Sequence, residues 1–185
     1  MLTRLRRITR SALLLLQALL LAACSQASQP SIAVPGSVVS LVPPAGFTPA
    51  PPFRLLDSLS GSAVALTAGE LDTDPEGRQP MIVVASQLSL PFASNDPQKV
   101  SDQLIAGSVR IQGGTITSRE NVPFGGITGH RVDGVTPDGR HYRHYLALWP
   151  GERFVRLVAI LPADSSKEVE DAVEATAASV RFREP

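Results

Sequence analysis

A single cysteine in 185 residues rules out any disulfide within the chain, so stability has to come from a packed core. Charge of either sign is not in excess, with 17 basic against 17 acidic residues, which argues against a nucleic-acid partner. Apolar runs fall short of the roughly 20 residues a membrane-spanning helix needs. Catalytic signatures are missing as well. No Gly-x-Ser-x-Gly elbow occurs, and neither Ser60-Gly61 nor Ser86 has a histidine nearby in sequence. Gly113-Gly114 and Gly125-Gly126 lack the spacing of a phosphate cradle and are expected to end a helix and open a strand. Asp72 and Asp74, beside Pro75 and Gly77, lack the twelve-residue ligand pattern of a calcium loop and read as a solvated turn. There is no internal repeat. These absences together lead to the expectation of a protein that is not an enzyme and carries no cofactor.

What is there begins at the amino-terminal end. Arg4, Arg6, Arg7 and Arg10 precede an apolar stretch from Ala12 to Ala22 broken only by Gln17, and Leu21-Ala22-Ala23-Cys24 follows. The last four residues resemble a lipobox, the signature of bacterial lipoprotein precursors. That resemblance implies removal of residues 1–23 as a signal peptide and lipidation of Cys24. The mature part would keep thirteen basic against seventeen acidic residues, a net charge of −4. Attachment would then rest on acyl chains, at about 0.8 kcal/mol per buried methylene, and not on attraction to anionic headgroups. Ser25 follows Cys24 where an inner-membrane retention signal would carry aspartate. The expected location is therefore the extracytoplasmic side of a bacterial membrane in the cell envelope, compatible with the outer membrane where there are two.

Residues 24–37, rich in Ser, Gln, Ala and Pro, read as a tether, and residues 38–185 as one globular domain. Val38 to Val42 is a short β-rich run stopped by Pro43-Pro44. Strand candidates at 62–71 and 80–90 are nearly continuous in apolar residues, as when both sheet faces are covered. Asn95-Asp96-Pro97 opens a helix with Val100, Leu104, Ile105, Ser108 and Val109 on one face. Thr115 to Glu120 follows as a strand. Ile127–Val135 and His141–Trp149 flank the turn Thr136-Pro137-Asp138-Gly139, and Phe154–Leu161 completes a meander. Ser165 and Glu168 have capping-box spacing before a helix that buries Val169, Ala172, Val173, Thr176 and Ala177. Ser179 to Phe182 can add a last strand. The fold class is α+β, a predominantly antiparallel β-sheet flanked by helices.

This order resembles the Mog1/PsbP-like α/β/α sandwich. The likeness rests on Pro44-Ala45-Gly46-Phe47 after the first strand, the mid-chain helix, Gly125-Gly126-Ile127-Thr128-Gly129-His130, the meander, and Ser179-Val180-Arg181-Phe182 after the late helix. It implies a binding or assembly module.

Register arguments locate the candidate site residues. With Gly139 as a bulge, His144 falls opposite Val132, which makes His130 and His144 diagonal neighbours, while His141 points to the other face. Asp133 and Arg143 would oppose each other as an ion pair. A metal at the histidines is the weaker reading, and polar positions on a half-exposed hairpin the stronger. Tyr142, Arg143, Tyr145, Trp149 and Arg153, with Arg156 nearby, supply the aromatic and arginine types that anchor interfaces. The expected function is a lipid-anchored, non-enzymatic module that uses this hairpin to bind another envelope protein. The alternative is a carrier of a small ligand or lipid between sheet and helix.

Overall fold

The computed structural model describes residues 30–50, 61–68, 79–88, 96, 98–103, 114–149 and 153–182. Its main element is a seven-stranded antiparallel sheet in the order β3-β4-β5-β9-β8-β7-β6. These strands are β3 (Thr48–Pro49), β4 (Gly61–Thr67), β5 (Met81–Leu88), β6 (Thr115–Phe124), β7 (Ile127–Val135), β8 (His141–Trp149) and β9 (Arg153–Leu161). A smaller sheet joins β1 (Ile32–Ala33), β2 (Val39–Leu41) and β10 (Arg181–Phe182) in the order β1-β2-β10. Helix α1 is described over residues 98–103, and helix α2 is Lys167–Ser179. The expected α+β class and the antiparallel sheet flanked by helices are both present.

The two central apolar runs do become β4 and β5, whose residues 64–67 and 82–86 are buried. Asp96 starts α1 by accepting the Gln98 amide at 2.9 Å. Val173, Thr176 and Ala177 form the buried stripe of α2. That helix is capped at Ser166, without a side-chain hydrogen bond, and not at Ser165 as the capping-box spacing suggested.

Two expectations need correction, the end of β6 and the length of the tether. Gly125-Gly126 opens a strand as expected, β7. With φ of 65° and 84° the pair is the two-residue turn of the β6–β7 hairpin, and a side chain at Gly125 would collide with the Phe182 ring. β6 accordingly runs past Glu120, through Pro123, which an outermost strand tolerates. The stretch read as tether is also shorter than expected. Ile32-Ala33 pairs with β2, and Val34 is 1% exposed in the core, so folded structure begins before residue 38.

The large sheet has two differently covered faces. On one, Val64, Leu66, Ile82, Val84, Tyr145, Ala147, Leu157 and Leu161 pack against Val173 and Ala177 of α2, against Val39 and Leu41 of the small sheet, and against Val34 just after β1. The other meets α1, where Val100 packs with Leu146 and Phe154, and Val132 forms a separate small cluster with Ile116 and Tyr142.

Candidate functional site

The hairpin at Thr136–Gly139 sets the site. Gly139 has φ of 83°, its amide donates to the Thr136 carbonyl at 2.9 Å, and the Thr136 amide donates to the Arg140 carbonyl at 2.9 Å. This closure places Val132 opposite His144, Asp133 opposite Arg143 and Arg131 opposite Tyr145. Because side chains alternate along a strand, the meander residues then separate onto two faces.

On the α2 face lies an ion network. Arg143 Nε donates to Asp133 Oδ1 at 2.8 Å, and Arg143 Nη1 donates to Glu174 Oε1 of α2 at 3.0 Å. Arg131 pairs with Glu120 and lies 3.3 Å from Asp133 and 3.4 Å from Glu174. Ser118 Oγ donates to Asp133 Oδ2 at 2.9 Å. Burial opposes the Arg143 charge, but the hydrogen bond and charge of Asp133, with Glu174, hold its pKa above the ordinary value. These groups join α2 to three strands, and mutual pairing accounts for each charge.

Tyr145, on the same face, is 4% exposed and stacks on Phe124 with centroids 5.7 Å apart. Burial pushes its hydroxyl pKa up. Tyr142 points to the other face, where its ring lies over the bare backbone of Gly134. Tyr142, Arg143 and Tyr145 therefore do not share one surface. Trp149 pairs with Arg153 at the β8–β9 end, and their side chains lie outside the described residues.

The α1 face holds a different set of groups. His130 is 2% exposed, His144 4% and Ser101 of α1 0%. His130 and His144 are diagonal neighbours in the observed register, while His141 is exposed on the opposite face. His130 Nδ1 is 3.1 Å from Asn121 Oδ1, so it carries the proton and leaves a lone pair on Nε2. His130 Nε2, His144 Nε2, Ser101 Oγ and the Tyr142 hydroxyl are all buried without a hydrogen-bond partner. Burial, then the Arg156 and His130 charges, lower the His144 pKa to about 3. Burial also lowers His130, with Asp102 and Asp96 opposing and Arg119 assisting.

Arg156 lies beside these histidines. It faces Leu146 across β8–β9, and His130 faces Leu146 across β7–β8, so one row reads His130, Leu146, Arg156. Arg119, by contrast, pairs with Asp102 of α1 at 3.0 Å. Among the described residues no cluster of three or more His, Cys, Asp and Glu could hold a metal. Nor is any helix among them long and apolar enough to cross a membrane. Sequence reasoning placed the histidine pair but not Ser101, nor Arg156 as its neighbour. The available signals were a lone cation in the apolar run Phe154–Leu161 and a serine on the buried stripe of α1.

No family model matches the chain, and no curated protein does. Solved structures do resemble it. LpqN of Mycobacterium tuberculosis, described as involved in cell envelope biogenesis, is 17% identical with a TM-score of 0.59, over 84% of this chain and 90% of that one. The cyanobacterial PsbP (CyanoP) of Synechocystis is 10% identical with a TM-score of 0.60, over 83% and 92%. These likenesses establish a PsbP-like fold.

Proposed function

We propose that this chain is a bacterial envelope lipoprotein, anchored through Cys24, whose PsbP-like domain acts as a non-enzymatic binding or assembly module for another envelope protein. The observation that carries the reading is Leu21-Ala22-Ala23-Cys24 placed just ahead of a domain that starts at Ser31. The fold it shares with LpqN, a protein described as involved in cell envelope biogenesis, supports the same compartment. On the hairpin, Trp149 and Arg153, paired at the end of β8, are the proposed contacts, while Tyr142, Arg143 and Tyr145 support the strand that presents them.

The test uses the full chain in a bacterial host. Cys24→Ala should move the protein from the membrane to the soluble fraction and remove the added acyl mass. A photo-cross-linker at position 149 should trap one stoichiometric envelope protein from the anchored form. Membrane retention of the Cys24→Ala form would refute the anchor, and recovery of the chain without an adduct would refute the partner.

A second reading rests on a specific observation: the orphan polar atoms of His130, His144, Ser101 and Tyr142 between sheet and α1. Buried groups of this kind cost roughly 1–3 kcal/mol each unless something satisfies them. A small ligand held there would do so.

A further inference from the structure

Arg156 of β9 carries a charge on the α1 face of the sheet. It is half-buried, and burial is the sole influence on its pKa, which falls; no carboxylate among the described residues pairs with it. A guanidinium half out of water is normally matched by an anion, and its planar fork suits a carboxylate or phosphate. Four other arginines of β6 to β8 and their turn meet that expectation. Arg119 pairs with Asp102, Arg131 with Glu120, Asp133 and Glu174, Arg140 with Asp138 and Arg143 with Asp133.

Buried polar side chains surround Arg156 in the register of the sheet. His144 is its diagonal neighbour, and the His130 ring flanks the same Leu146 on the far side. Ser101 lies wholly buried on α1, between Val100, which packs on Leu146 and Phe154, and Asp102, which holds Arg119. Three nearly inaccessible polar side chains thus keep an atom unpartnered on the face that carries the unmatched cation. Val100, Leu146, Leu148 and Phe154 pack together as an apolar cluster next to these groups.

We infer that the α1 face of the sheet is a receptor for a small oxyanion, a carboxylate or phosphate, held by the Arg156 guanidinium with His144 and Ser101 as hydrogen-bonding partners, and with His130 as a further one for a phosphate that keeps a proton. The inference rests on the second reading above, that a ligand sits between sheet and α1, and adds its chemical class. An anion fits because it supplies the missing counter-charge. The Ser101 hydroxyl could donate to a charged oxygen of either group, whereas only a phosphate that keeps a proton could also donate to the free lone pair of His130 Nε2. The apolar cluster suits a ligand whose remainder is apolar, so the anion's source is either the head of an amphiphile or a free ion.

The experiment is calorimetric titration of the full chain in phosphatidylcholine nanodiscs with octanoate, octanol and inorganic phosphate. Each is repeated with Arg156→Met, and empty nanodiscs give the partition background. Octanoate should saturate at one equivalent and bind at least about tenfold tighter than octanol. Arg156→Met should remove that preference while its thermal midpoint stays at or above that of the parent, because the substitution takes away an unmatched charge. Phosphate binding as tight as octanoate would identify a free anion, and much weaker phosphate binding an amphiphile. Equal affinity for octanol and octanoate, or a preference untouched by Arg156→Met, would overturn the anion receptor and leave the carrier reading standing. No binding of any probe would overturn both.

Discussion

The two faces of the large sheet are made by the same strands yet solve opposite problems. On the α2 face buried apolar side chains from six strands and α2 interlock, and the charges at its margin are paired among themselves. Ser86 is the exception there, buried with its hydroxyl unpartnered. On the α1 face the apolar contacts among the described residues form two small groups, with orphan polar atoms and, among those residues, a cation without a carboxylate partner beside them. The contrast teaches that one face supplies stability, while the other carries buried polar groups that cost stability, as groups kept for the proposed binding would.

Substitutions on either side can break or sharpen this contrast. The largest effect is expected at Leu157, wholly buried against α2, where Leu157→Ala should cost about 2–5 kcal/mol in urea unfolding. A loss under 1 kcal/mol would mean that the α2 face is not the stabilising side.

Gly129 and Gly134 lie on the same strand but on opposite faces, and they make an internal test. A Cβ at Gly129 would come within 2.8 Å of the Leu146 carbonyl oxygen and 2.9 Å of Phe124 Cβ, neither of which can swing away. Gly129→Ala should cost about 1–3 kcal/mol. At Gly134 the obstacle is the far end of the Tyr142 side chain. Gly134→Ala should therefore cost less than about 1 kcal/mol and register mainly as a changed tyrosine environment by NMR. Equal costs at the two glycines would erase the distinction between the faces.

Acid should act through the α1 face. His144 titrates near its ordinary value when unfolded and at about 3 when folded, so the unfolded chain binds the extra proton in between. The stability it permits is present above pH 6.5 and is lost as pH falls from there towards 3. The groups facing it there are Arg156, the His130 ring and, beyond, Arg119 paired with Asp102; none offers an unpaired negative charge to offset a proton. Between pH 7 and pH 5 the loss should be about 2 kcal/mol, and His144→Leu should remove most of it. An identical pH slope in the variant would show that acid acts elsewhere.

The sequence was most informative where local rules are strict. Pro137, Asp138 and Gly139 dictated the turn, the turn dictated the register, and the register placed His130 diagonal to His144 and Asp133 opposite Arg143. Long-range pairing was harder to see. Nothing in Ile32-Ala33 signals a strand until β2 lies beside it, and Pro123 masked the second half of β6 because edge position is a tertiary property. The hairpin aromatics misled for a related reason. Tyr142 and Tyr145 differ by three positions on one strand and so point to opposite faces, and which of those is dry depends on where α2 packs.

The early start of β1 has a consequence for reach. With lipid on Cys24 as proposed, only residues 24–30 separate the bilayer surface from Ser31, whatever shape they take. Fully stretched they span at most about 25 Å, against about 50 Å had folding begun at residue 38. Halving a leash cuts the volume its end can sweep to roughly one eighth, which raises the local concentration of the domain at the membrane by the same factor. A partner or ligand would have to present itself within a domain's width of the lipid.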